Sequence, residues 1–245
     1  MLAQGASPWK VASDTPIRIG AAACALLGVI ALGVYFGAAP PLPPPDAGAT
    51  QVADIGMRYH SILLLGAWLQ ATGTLLCVVF FITLVHLAGG AARLSGLLTV
   101  VGAGTLLAVS VIEGAFTIDW AQAAVNRHPA VALSSYDVMS TFVHVFPVAP
   151  APLVYLSLGA VLLGADVLPR AFGRLALVLG AAFAVVGLGG LFTAPLLTLV
   201  VVGAQSLWIA AAAVWLLARA RRRGAASLLE AAVGVVDARL SGDLR

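Results

Sequence analysis

The chain has 245 residues, of which 61% are hydrophobic and only 9% charged, and its formal net charge is +3. Soluble domains carry roughly 25% charged residues, so this balance excludes an ordinary water-soluble fold. The small positive charge gives no basis for nucleic-acid binding and reads instead as a membrane orientation signal.

Six stretches are long and apolar enough to cross a bilayer, which takes roughly 20 helical residues for a hydrocarbon core of about 30 Å. They are 17–38, 60–87, 94–118, 138–166, 170–192 and 195–218. Their apolar runs are continuous and lack the period-two alternation of a barrel strand. The expected fold class is therefore an all-α integral membrane protein with six transmembrane helices. A short segment, 1–16, precedes the spans, and a basic anchor with a tail, 219–245, follows them.

The first span follows Lys10 and Arg18 and could pass for a secretion signal. Its apolar run is too long for one, and "PPLPPP" after it is a poor cleavage context, so a retained span is expected. Within it "GVYFG" sets Gly33 and Gly37 one turn apart, a pattern for close helix approach. The polar connection "PPLPPPDAGATQVADIG" predicts a stiff extended spacer.

His60 opens the second span, Gln70 lies near its middle, and His86 falls at its far end. Cys24 and Cys77, in the first two spans, have no CxxC or metal spacing and read as small buried hydrophobes. The third span carries Glu113 in "SVIEGAF", a costly group in lipid that predicts an inward-facing, working position. Next, "DWAQAAVNRHPAVALSSYD" is expected as a loop, with Trp120 and Tyr136 at interface depth and Asp119 as an outer-rim neighbour of the site.

The fourth span contains "TFVHVFPVAPAPLVY". Pro147, Pro150 and Pro152 lack an N–H, so the carbonyls of Val143, Phe146 and Val148 lose their usual helical donors. Such a break is tolerated where protein buries it or water reaches it. A kinked or broken helix is expected, with an outer piece ending near Phe146 and a spanning piece beginning near Pro152. His144, in the outer piece, should share its depth with Glu113, with His60 as third member of the group.

The fifth span has a small-residue ridge, Ala176, Gly180 and Ala184. A tight hairpin near "LFTAP" leads to the sixth, which places Gln205 near mid-membrane. "RARRR" then acts as a stop-transfer anchor, with contact to anionic lipid as a second role. The tail carries Glu230 and Asp237 on a narrow polar stripe, and an amphipathic surface helix over 225–245 could meet a protein partner.

Alternating the spans puts eleven of the 13 basic residues on one side. Only Arg58 and Arg127 fall on the other. The excess of Lys and Arg on cytoplasmic loops sets both termini inside a bacterial cytoplasmic membrane, with membrane lipids as the first partners. No Walker loop, HExxH, GxSxG or cysteine-rich metal pattern is present in the sequence. It names no cofactor, and no six-span internal repeat is legible.

Around "LSLGAVLLGADVLPRAFGRLALVLGAAFAVVGLGGLF" the chain resembles an uncharacterised bacterial polytopic membrane family, catalogued as a domain of unknown function. Leu168, Pro169, Arg170 and Gly173 match the family's L-P-R-x-x-G step, and Gly159 and Gly164 match its preceding helix. The resemblance implies a polytopic membrane protein and carries no catalytic role.

The expectation for function is a non-enzymatic accessory or small-ligand-binding protein. Its candidate site is an outer-half pocket formed by Glu113, His144, His60, Asp119, Gln70 and Gln205. A proton-coupled carrier of small solutes is a second reading, and a haem or redox protein using His60 and His144 is a third.

Overall fold

The computed structural model describes residues 8–44, 46–190 and 200–222, with the side chains of 8–14, 143, 144, 146–148 and 190 outside that description. It is built from helices α1 (Pro8–Ala38), α2 (Ala49–Arg58), α3 (His60–Leu87), α4 (Leu94–Val125), α5 (Pro129–Val148), α6 (Pro150–Leu163), α7 (Arg170–Gly190) and α8 (Val200–Arg222). Among the described residues, five stretches are long and apolar enough to cross a membrane: Thr15–Ala38, His60–Leu87, Leu94–Val125, Arg170–Gly189 and Val200–Arg222. The chain is thus organised as a multi-pass, all-helical membrane protein. The stretch expected as a fourth span is divided between α5 and the shorter apolar helix α6.

Helices α1, α3 and α4 pack in sequence as antiparallel neighbours. Gly28 on α1 meets Gly73 and Cys77 on α3 so closely that a β-carbon at Gly28 would fall 2.8 Å from the Gly73 carbonyl oxygen and from Cys77 Sγ. Close approach of backbones is how apolar helices associate where hydrophobic burial supplies little drive. Gly33 and Gly37, the pair expected to serve this purpose, face open space with nothing within 4 Å. That expectation is corrected: α3 lies against a different stripe of α1, the one that carries Gly28.

Helices α5 and α6 run antiparallel along α4. Tyr136 and Phe142 of α5 meet Trp120 and Phe116 of α4, while Ser157 of α6 bonds Thr99 near the start of α4. Ala149 (φ −127°, ψ −58°) separates the two helices. Pro150 and Pro152 then fall in the first turn of α6, where an amide N–H has no intrahelical acceptor and proline is tolerated. The donor that Ala149 needs is Leu153, whose N–H reaches its carbonyl at 3.2 Å.

Small residues also bring α6 and α7 together. A β-carbon at Gly159 would sit 2.9 Å from the Gly173 carbonyl oxygen, and one at Gly180 would sit 2.8 Å from the Leu156 nitrogen. The expected ridge on the fifth span is in use, with Ala176 fully buried. Helix α8 closes this side through Trp208, which donates its indole N–H to the Phe172 carbonyl at 3.1 Å. Tyr155 stands at the hub, 5.7 Å from Phe81, 5.8 Å from Phe183 and 5.7 Å from Trp208 by ring centroids.

At the end remote from Arg93, Arg170 and Arg219, a second core forms from α2, the last turns of α4 and the first turns of α5. Three sequence expectations are corrected here. Residues 119–137 are not a loop: α4 continues to Val125, and α5 begins at Pro129. Nor is the connection after α1 extended throughout, since 49–58 form α2, whose Val52, Ala53 and Gly56 turn inward. Trp120 is 1% exposed and is a core residue, not a member of an interfacial belt. Its indole N–H bonds the Val52 carbonyl at 3.1 Å, which anchors α2.

Helices α3 and α4 both end in a Schellman turn, in which the two residues after the cap donate back to the last turn. In the first, Gly89 takes a left-handed φ of 61° and donates to His86, while Gly90 donates to Val85. In the second, Arg127 adopts φ 59° and donates to Ala124, while His128 donates to Ala123. The hairpin near "LFTAP" and the tail 225–245 lie outside the described residues.

Candidate functional site

Glu113 projects from the middle of α4 toward α3, where Gln70 donates its side-chain Nε2 to Glu113 Oε2 at 2.6 Å. Both helices repeat this polar face one turn further toward the basic end. Thr74 follows Gln70 by four residues, Ser110 precedes Glu113 by three, and their hydroxyls lie 3.0 Å apart. In the other direction Thr117 donates its hydroxyl to the Glu113 backbone carbonyl at 2.9 Å. A ladder of polar groups thus runs along the α3–α4 seam inside a largely apolar bundle. Polar groups in the bilayer turn to each other because lipid supplies no partner.

Helix α1 contributes the third wall. The ring of Tyr35 lies against Gly66, where a β-carbon would approach it to 3.2 Å. Above this level opens a cavity of about 130 Å³, walled mainly by aliphatic side chains. Tyr35, Gly66, Thr117, Trp120 and Met139 are part of its lining. Neither Glu113 nor Gln70 is part of that lining; Gln70 follows the lining residue Leu69, and Glu113 lies one helical turn from the lining residue Thr117.

One atom at this site stands out energetically. Gln70 is 7% exposed, its Nε2 is committed to Glu113, and its Oε1 finds no donor among the described residues. A buried polar atom without a partner costs about 1–3 kcal/mol. The Gln70–Glu113 pair can also be satisfied in two ways. An ionised carboxylate accepts from Nε2, whereas a protonated one donates to the amide oxygen once the amide has turned over.

The other sequence-derived positions are distributed as follows. His60 begins α3, ten residues before Gln70, and so lies roughly 15 Å from it along the helix axis. Its Nε2 is buried without a partner among the described residues. Asp119 is exposed in the terminal core and accepts a short hydrogen bond from the Ser135 hydroxyl. Gln205 is buried on α8, and its Oε1 has no partner among the described residues; no hydrogen bond joins it to Gln70. Pro150 and Pro152 are buried at the start of α6. The backbones of His144 and Pro147 belong to α5, but their side chains lie outside the described residues. Phe142, two residues before His144, stacks on Phe116, three residues after Glu113, at a centroid distance of 6.3 Å. That contact sets the His144 and Glu113 backbones at about the same level.

Sequence reasoning did not find Tyr35, Thr74, Ser110 or Thr117 as members of this cluster. Thr74 and Ser110 could have been found, because each sits one helical turn from a polar residue already singled out. Tyr35 could not, since its place depends on which stripe of α1 faces α3. Among the described residues no group of three or more His, Cys, Asp or Glu side chains is arranged to hold a metal ion. Neither a family model nor any curated protein or solved structure matches the chain.

Proposed function

We propose that this is a non-enzymatic protein of the bacterial inner membrane that holds a small amphipathic molecule or a lipid chain beside Glu113. The observation that supports the reading is a buried, unsatisfied Gln70 oxygen, one residue along α3 from Leu69 in the wall of an apolar cavity. An apolar body would occupy the space between Tyr35, Gly66 and Met139, while a hydroxyl or N–H at its tip would donate to Gln70 Oε1. Ligand sites generally combine apolar walls with a few convergent polar groups in this way.

The same proposal takes α5 and α6 together as one crossing, giving six, with both termini and the basic end in the cytoplasm. The eleven-to-two division of basic residues supports that orientation. Kinship with the bacterial family resembled at Leu168, Pro169, Arg170 and Gly173 belongs to the proposal too.

Extraction of the protein from native membranes, followed by mass spectrometry of its bound small molecules, tests the reading. A species present at about one per chain is expected in the wild type. It should fall at least tenfold in Ala38→Trp, which fills the cavity from its rim, and in Gln70→Leu. Equal occupancy in all three proteins, or no such species in the wild type, would overturn it.

A proton-coupled carrier is the second reading, favoured by the Thr74–Ser110 pair that extends the polar ladder toward the basic end. It requires solute flux in vesicles that depends on pH and is lost in Glu113→Gln. Flux unchanged by that substitution excludes it.

A further inference from the structure

A second cavity, of about 470 Å³, lies at the basic end between the α6–α7 turn and the last turns of α8. Among the described residues, Arg170, Arg219 and Arg222 line it with Asp166 as the one acidic residue and Trp215 as an aromatic wall. Three guanidinium groups thus stand against one carboxylate among the described residues that line this space. Its volume falls within the roughly 300–1,000 Å³ of small-molecule sites.

The preference for arginine on cytoplasmic loops explains why these residues occupy this end. It does not explain why they converge on one cavity. Arg170 is the least expected of the three. It is the first residue of α7, Arg174 follows one turn later, and the first turn holds no acidic residue. A helix N-terminus carries about half a positive charge, so cations there are unfavourable unless an anion joins them.

Arg219 is held in place by the turn itself, its Nη1 donating to the carbonyls of Asp166 and, at 3.1 Å, Val167. That contact orients the guanidinium against the cavity wall before any ligand arrives. Arg170 and Arg222 form no hydrogen bond or ion pair with other described residues. Trp215 is 45% exposed and stands 6.5 Å from Phe172 by ring centroids, and tryptophan is a residue type enriched where a helix meets lipid headgroups.

We propose that this cavity binds a phosphate group, held by Arg170 and Arg222 in the fork geometry that guanidinium groups offer to phosphate oxygens. The group reaches it either on the headgroup of an anionic phospholipid or as free phosphate.

Native mass spectrometry of the full chain in detergent tests the site with phosphatidylglycerol and phosphatidylcholine as probes. At least tenfold preferential retention of phosphatidylglycerol is expected. The preference should be lost in Arg170→Gln/Arg222→Gln, fall only partly in Arg170→Lys/Arg222→Lys, and persist in Arg174→Gln/Arg221→Gln, which removes equal charge outside the cavity. In a parallel arm, inorganic phosphate is compared with chloride at matched ionic strength, reading the thermal midpoint in lipid-free detergent. Lipid preference identifies the headgroup as the source, and phosphate protection without lipid preference identifies the free anion. Neither effect in the wild type, or equal loss in the control pair, overturns the proposal.

Discussion

The Gln70 side chain donates to the Glu113 carboxylate at 2.6 Å across the α3–α4 seam. This pairing, more than any feature of the loops, explains how an acid is accommodated at mid-helix in a bundle built for lipid. Interhelical hydrogen bonds in membranes are worth about 0.6 kcal/mol on average and up to about 1.7, and removing one partner of a charged group costs more than the bond itself.

Gln70→Leu should therefore destabilise the protein by about 1–3 kcal/mol, because it strands the carboxylate and not merely one bond. Glu113→Gln should be close to neutral, since an amide facing an amide keeps a donor and an acceptor. The double variant Gln70→Leu/Glu113→Leu should recover most of the loss. Unfolding midpoints in a fixed detergent measure all three, and a double variant as unstable as Gln70→Leu alone would refute the assignment.

The terminal core depends on Trp120 in a different way. Trp120→Phe keeps an aromatic ring beneath α2 but removes the N–H that satisfies the Val52 carbonyl. The expected cost is about 1–3 kcal/mol for a buried acceptor left without its donor, and it should be local. Amide exchange over 49–58 should accelerate at least tenfold, while the Tyr155 neighbourhood exchanges as before. Uniform acceleration across both regions would mean that the terminal core is not a separate unit.

How much of this was legible beforehand follows from the kind of signal each feature leaves. The long apolar runs of α1, α3, α4, α7 and α8 are written plainly, because lipid forces backbone groups to pair within one segment. The terminal core is not. Alanine-rich stretches such as "AQAAV" and "ATQVADIG" carry too little hydrophobicity to mark helices, and their burial comes from Trp120 and Val52 meeting across 68 residues of chain. Glu113 was legible as a residue that must turn toward protein, because its presence in an apolar span is expensive. Its bond to Gln70 was not, since the choice among helical partners depends on the rotation of α3 about its axis. Gly33 and Gly37 teach the same lesson in reverse: a correct spacing does not say which stripe of a helix is covered.

Tyr136 gives a prediction about pH. Its hydroxyl donates to the Pro43 carbonyl at 3.2 Å, tying the proline-rich connection to α5. Burial, followed by the neighbouring Asp137 carboxylate, pushes this hydroxyl above the usual tyrosine range. A raised folded-state value means that the bond contributes fully below the ordinary tyrosine value of about 10. Its contribution fades as pH rises through the higher folded-state value. Proteolysis within 39–48 should accordingly increase only at strongly alkaline pH in the wild type. Tyr136→Phe should show the increased rate already at neutral pH and no alkaline step. An alkaline step that survives in Tyr136→Phe would assign it to another group.

Arg127 offers the last prediction, through comparison with Gly89. Both residues hold the left-handed position of a Schellman turn, at φ 59° and φ 61° respectively. Only one is glycine. A side chain in this conformation costs roughly 1–2 kcal/mol, part of which is offset because glycine loses more backbone freedom on folding. Arg127 is exposed, and among the described residues its side chain makes no hydrogen bond, so it returns nothing to that turn. Arg127→Gly should stabilise the α4–α5 connection by about 0.5–1 kcal/mol, read as a higher unfolding midpoint, whereas Gly89→Arg should lower it by about 1 kcal/mol or more. If Arg127→Gly instead lowers the midpoint, the guanidinium must have a stabilising role beyond the turn, and the backbone account of this cap fails.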